Sequence, residues 1–410
     1  MKKVKWILFL FVITLLSVGV AVGEGAKGAG KPAGTVLPIV SDEKTTREAF
    51  FANGTPITIQ EPKVNTDGWI HDKEVQKGLA NGLSPSKRPG TGSTISWEEN
   101  GEIHFVYVTG NSKVFGGCLN ADVQADISIT VRGADVRKAF PNVSFLFGGG
   151  YGGDVIGSVT ISLEKSQMMY VYGGGYNGSV TGDILIRSTG DNWSLDMVGG
   201  GLASSRTEDA VADVGGNVTM DLGGMMISYM DTLVAGGLAE SISEFTAQAN
   251  VGGNVTLYAE GRNVYQLCGG GEAFRTGEGC GHPTANVGGS VSVELRGSRV
   301  RYYTEGKTTL LGGVFGGGMG YYGMADVGGD VSVLVADTIF DEDALGVVLG
   351  GMAEGNNAAA NVAGEAWGMV LHDANPAHII RGGLTHEGGT AEVSGEVSWY
   401  YTPRDGMTDY

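Results

Sequence analysis

Nine short polar side chains, Asp122, Asp154, Ser179, Asp213, Asn250, Asn286, Asp326, Asn361 and Glu392, each stand immediately before a valine. A second set of acids and amides follows at Asp126, Asp183, Asn217, Asn254, Asp330, Glu365 and Glu396. Two such columns could collect Ca2+, because a hard cation takes several oxygens converging on one point. The same residue types also cap turn amides and bond from one repeat of a chain to the next. Ser179, Asn250 and Asn286 dilute the negative charge, so a ladder of side chain to backbone bonds is the preferred reading and Ca2+ the lesser one. No metal-ligand set is expected otherwise: His71, His104, His282, His372, His378 and His386 are scattered without metal-ligand spacing.

Signals for an enzyme are thin. Polysaccharide cleavage needs clustered carboxylates with a base or a cation, and the one basic and acidic concentration is Arg296, Arg299 and Arg301 with Glu294 and Glu305. A solvated strand edge accounts for it. A column of hydroxyls, Ser128, Thr160, Thr219, Thr256, Ser292, Ser332 and Ser398, is broken by Leu185 and Trp367. Paired hydroxyl stacking explains it better than a water-organising face. No catalytic residue is assigned.

These columns must be positioned by a repeat. The valines that follow the first set, from Val123 to Val393, are separated by 32, 25, 34, 37, 36, 40, 35 and 31 residues, and a Gly or Ala stands two places after each. A fixed core with variable spacing marks a solenoid whose coils carry insertions. A glycine cluster behind an apolar residue recurs as well, as in Phe147-Gly148-Gly149-Gly150, Tyr172-Gly173-Gly174-Gly175, Cys268-Gly269-Gly270-Gly271 and Phe315-Gly316-Gly317-Gly318. Such glycines suit left-handed corners and close stacking of corners. After the valine the alternation has period two: Val255, Leu257 and Ala259 on one face, Asn254, Thr256 and Tyr258 on the other. One coil buries about half a dozen apolar side chains at ~1.5–3 kcal/mol each. Ordering thirty-odd residues costs ~1–2 kcal/mol apiece, so the coils must fold as one stack. The expected fold is all-β, a single-chain parallel β-helix solenoid with a β-rich N-terminal cap and loop insertions on one side.

Composition agrees. Gly accounts for 72 of 410 residues and the hydrophobic fraction is 42%. The net charge of −18 makes nucleic acid and anionic membrane poor partners. Lys2, Lys3 and Lys5 precede an apolar run and small residues, a secretory signal over 1–23. A flexible linker is expected over 24–49, the cap over 50–108 with a short helix near 71–83, the repeat domain over 109–401 and a tail over 402–410. Asn100-Gly101 between two alternating runs marks a hairpin in the cap. Export permits disulfides; of three cysteines, Cys268 and Cys280 bracket one insertion and are the expected pair.

The insertions, among them Leu202–Asp213, Leu238–Asn250 and Glu272–Asn286, leave the coil at one point, often the binding side of a solenoid. They carry Phe245, Phe274, Tyr321 and Tyr322, with Tyr151 and Tyr176 in the short early versions. These six are the candidate binding residues.

The glycine cluster with its valine units resembles right-handed parallel β-helix repeats in adhesin-like surface proteins of gut Gram-positive bacteria, and the fold is similar to the pectin-lyase-like superfamily. The resemblance implies a secreted or cell-surface protein, non-catalytic, that displays loops to carbohydrate or to a host or neighbouring surface protein. Other readings are a polysaccharide lyase or glycoside hydrolase on the same helix, and a structural spacer or surface-layer protein. The end from Thr402 to Tyr410 has neither sorting signal nor apolar tail, so wall anchoring of the kind seen in such proteins is not expected.

Overall fold

A computed structural model describes residues 35–42, 45–60, 92–110, 112–133, 142–190, 192–223, 229–277, 279–305, 308–310, 312–371, 374–376 and 378–402. The expected signal over 1–23, the helix near 71–83 and the tail beyond Thr402 lie outside them. Strands and turns make up the described chain, which is an all-β parallel solenoid. No helix among the described residues is long and apolar enough to cross a membrane.

From Leu202 onward each coil runs through three sheets; the earlier coils run through two, with isolated bridges in place of the third. The strand that follows the valine joins a 12-stranded sheet, here the motif sheet, in which Ile127–Arg132, Val159–Glu164, Ile184–Thr189, Val218–Leu222, Val255–Glu260, Val291–Arg296, Val331–Ala336, Ala366–Leu371 and Val397–Tyr401 stack in parallel register. The strand that ends in the glycine cluster joins a 13-stranded sheet, the cluster sheet, through Gln167–Tyr172, Trp193–Val198, Asn263–Cys268 and their equivalents. The nine valines bridge one another in sequence order, from Val123 to Val393. The repeat spacing therefore gives the coil register directly.

The third sheet lies inside the stretches expected to be loop. Leu202–Ser205, Leu238–Ser241, Glu272–Arg275, Met319–Tyr321, Met352–Glu354 and Leu384–His386 form a six-stranded parallel sheet, the loop sheet. Its middle positions Ala203, Ala239, Ala273 and Ala353 are fully buried. Ala212, Ala249 and Ala285 of the returning chain pack with the first three, where only small side chains fit.

The main core fills the space between the motif sheet and one face of the cluster sheet, with Val159, Ile161, Val171, Val255, Leu257 and Val331 inside. Strand alternation turns the neighbours of Val171 to the opposite face. There Phe51, Phe115, Phe147 and Tyr172 stack with ring centroids 5.0, 4.8 and 4.6 Å apart, and Val198, Val234, Cys268, Phe315 and Val348 belong to the same buried cluster. The loop sheet covers the later part of this column, and Tyr151 and Tyr176 lie against Phe115 and Phe147 in the earlier part.

The cluster glycines are not left-handed, contrary to expectation: none of residues 148–150, 173–175 or 316–318 has positive φ. Close approach is what excludes a side chain. A Cβ on Gly173 would lie 2.0 Å from the Gly199 carbonyl oxygen and 2.6 Å from Ile184.

The N-terminal boundaries also need correction. Thr35–Asp42 and Thr45–Phe51 are an antiparallel pair rather than linker, and the second runs parallel to Lys113–Phe115. Ala49, Phe50 and Phe51 are buried, so this segment is core and cannot be free chain. Ile57–Gln60 pairs parallel with Ile127–Arg132, which makes it an early rung of the motif sheet rather than cap. The hairpin Gly92–Glu99 and Glu102–Thr109 closes that edge, with Asn100 and Gly101 at φ 55° and 78° as its turn.

Candidate functional site

Backbone amides engage both polar columns. The N–H groups of Asp154, Ser179, Asp213, Asn250, Asn286, Asp326, Asn361 and Glu392 each donate to the side-chain oxygen of the preceding coil, at 2.7–3.2 Å. The second column repeats this from Asp126 through Ser158, Asp183, Asn217, Asn254, Ser290 and Asp330 to Glu365. Two ladders thus run along the stack at either end of the valine turn. Ser158 and Ser290 complete the second one, with hydroxyls doing the work of carboxylates.

Of the six candidate aromatics, four lie on the loop sheet or in line with it. Tyr151 and Tyr176 bridge each other and lead to Leu202, and their rings stack at 4.9 Å. Their edges meet Phe115 and Phe147, at 5.8 and 6.0 Å. Phe274 and Tyr321 are register partners one coil apart. Tyr176 and Tyr321 are buried, while Tyr151 and Phe274 are half-buried against the same cluster. Phe245 is half-buried, and its carbonyl accepts the Ser205 hydroxyl at 2.8 Å. Tyr322, at φ 54°, is half-buried; its hydroxyl donates to Glu387 at 3.2 Å and Arg275 lies over its ring at 4.9 Å. Four of the six are therefore packing between loop sheet and cluster sheet, not an open rim.

That seam also holds polar groups. Asp196 and Gln266 come from the cluster sheet; Ser204, Glu240 and Glu354 from the loop sheet. All five are buried. The Ser204 hydroxyl donates to Glu240 Oε2 at 3.1 Å. Burial pushes the Glu240 carboxyl up to about 7, against the opposing pull of Ser204 and Arg206. Burial of its carboxyl also pushes Glu272 up to about 7. The Tyr172 hydroxyl is buried without a hydrogen-bond partner, and burial, with Asp196 and other acidic neighbours, raises it well above the ordinary phenol. Carboxyls that titrate near neutrality can donate and accept protons. Glu240, however, is only 3% exposed and Tyr172 0%, so a polymer does not reach them in this conformation.

The expected Cys268–Cys280 bridge does not form. None of the three cysteines is in a disulfide. Cys268 occupies the buried column between Val234 and Phe315, with Sγ 3.4 Å from the carbonyls of Gly271 and Gly317. Cys280 sits out in the loop, 3.8 Å from the Thr276 hydroxyl. A side chain that must face the stack cannot also reach the insertion. Cys118 donates to Asn53 Oδ1 at 3.1 Å.

The outward face of the motif sheet is open. Ser128, Thr160, Leu185, Thr219, Thr256, Ser292, Ser332, Trp367 and Ser398 are successive register partners along it. Trp367 is 42% exposed, and Tyr400, two residues beyond its partner Ser398, is 57% exposed. From strand spacing and rise their backbones are about 8 Å apart. Met369 and Leu334 lie half-buried beside them. Sequence reading treats Trp367 only as a break in the hydroxyl column. Its outward parity and that of Tyr400 follow from the alternation of Ala366, Gly368 and Val370, which would have marked the pair. Arg296 pairs with Glu294 on this face, whereas Arg299, on a short strand of the cluster sheet, pairs with Asp341 at 2.7 Å.

No protein-family model, curated protein or solved structure matches this chain.

Proposed function

We propose that this chain is an exported, non-catalytic solenoid that binds carbohydrate across the outward face of its motif sheet. The observation that carries the reading is the exposed pair Trp367 and Tyr400 at the C-terminal end of a long, register-aligned hydroxyl face. Aromatic rings offer large contact area to the apolar faces of sugars, and hydroxyls beside them satisfy sugar OH groups. The stacked coils hold both rigidly, at little entropic cost to binding. The likeness of the repeats to adhesin-like surface proteins and to pectin-lyase-like helices supports display at a cell surface. The acidic net charge favours neutral or cationic glycans over polyanionic ones.

The second reading is glycan cleavage, for which Glu240 and Glu272, both pushed up to about 7 by burial, would be the proton-transfer groups; the same burial weighs against it. The two readings separate on a glycan panel scored for retained protein and for new reducing or unsaturated ends. Retention without products is the expected outcome. Products released by wild type and lost in Glu240→Gln would replace the binding reading by the catalytic one.

A further inference from the structure

Three consecutive coils bring Tyr322, Glu354 and the pair His386-Glu387 to the same corner, where the loop sheet ends. Glu354 and His386 are register partners on adjacent strands. Glu354 is 8% exposed, and His386 Nδ1 lies 3.9 Å from its Oε1. Glu387 follows at φ 51° and Gly388 at φ 91°, a left-handed turn that brings the second carboxylate back beside the first. The donor atoms of Glu354, His386 and Glu387 all lie within 4.8 Å of one another.

We propose that Glu354, His386 and Glu387 bind a divalent first-row transition cation of the Zn2+ type. Two carboxylates and one imidazole are a borderline donor set, suited to Zn2+ and its neighbours. Ca2+ takes oxygens and more of them than this corner offers. Bonds of about 2.0–2.1 Å in a tetrahedral site put ligand atoms about 3.3 Å apart, so the three need to close by about 1.5 Å at most. Glu387 is exposed and supplies most of that movement. Three protein ligands leave a fourth position to solvent.

The surroundings orient this set. The Tyr322 hydroxyl donates to Glu387 Oε2 at 3.2 Å, the outer-shell contact that fixes a carboxylate ligand. The Tyr322 ring can lie there because residue 355 is glycine: a Cβ would stand 2.2 Å from the ring, at φ 95°. Residues expected as a ligand-binding aromatic and an isolated histidine thus meet in one small site. The signal was readable, since Glu354 and His386 are 32 residues apart, one coil, at equal distance behind their glycine clusters.

The test uses the full chain, stripped with a chelator, desalted and titrated with Zn2+, and with Co2+ for its absorption spectrum. Expected are one saturating equivalent of Zn2+, Co2+ bands of a site with nitrogen and oxygen donors, and no comparable response to Ca2+. Tyr322→Phe should weaken Zn2+ by about 10–100-fold, and His386→Ala by more. His378→Ala, at an exposed histidine outside the corner, should leave binding unchanged. Should His386→Ala fold poorly, Glu387→Gln carries the same test from an exposed position. Absence of saturable Zn2+ binding, or equal binding by wild type and Glu387→Gln, overturns the proposal.

Discussion

At the scale of single residues, burial decides which polar groups matter. Glu240 is raised from the usual 4.5 to about 7, so the folded chain favours its protonated form. Between those values the native state holds more protons than the unfolded one, and stability falls as pH rises. The contribution is complete below about pH 4.5 and lost through pH 7, on the order of 3 kcal/mol for one group. Glu240→Gln keeps an acceptor for Ser204 and removes the titration. Urea midpoints at pH 5 and pH 8 should therefore differ less in the variant than in wild type, with the variant the more stable at pH 8. Parallel pH dependence in the two proteins would show that Glu240 does not titrate in this window. Residue identity alone gives no hint of this: Glu240 reads as a charged loop position until the loop sheet buries it.

At the scale of elements, the repeat exposes what stacks and hides what folds over. The valine units, the inward set Val255, Leu257 and Ala259 and the Asn100-Gly101 hairpin were all legible, because each leaves a periodic or turn-type signal. The loop sheet was not. Its strands are only three or four residues long, and Leu-Ala-Ser-Ser and Glu-Ala-Phe-Arg share little but the central Ala. Their partner is one coil away, where no local pattern reports it. For the same reason Tyr176 and Tyr321 look displayed rather than packed in the sequence, and Cys268 looks like a bridge end rather than a rung. The glycine stack yields a sharp expectation. Gly173→Ala drives a methyl into the Gly199 carbonyl and should cost about 1–3 kcal/mol, as overpacking does. Gly277→Ala meets nothing within 4 Å and should be near neutral. Thermal unfolding of the two variants tests the pair; similar midpoints would mean that the coils are not this closely stacked.

At the scale of the whole molecule, stacking makes every column a continuous surface. Stability is shared between neighbouring coils, while an outward side chain can change without disturbing the stack. The buried seam and the open face therefore separate: aromatics facing the cluster sheet hold coils together, while Trp367 and Tyr400 stay exposed on the motif sheet. Each aromatic contact contributes about 0.5–1.5 kcal/mol, so losing two should weaken carbohydrate binding by about 5- to 150-fold. The most direct measurement is the affinity of Trp367→Ala/Tyr400→Ala for a glycan that wild type retains, taken alongside its unfolding midpoint. Weakened binding at an unchanged midpoint is the expected result. Undiminished binding would contradict the assignment of this face.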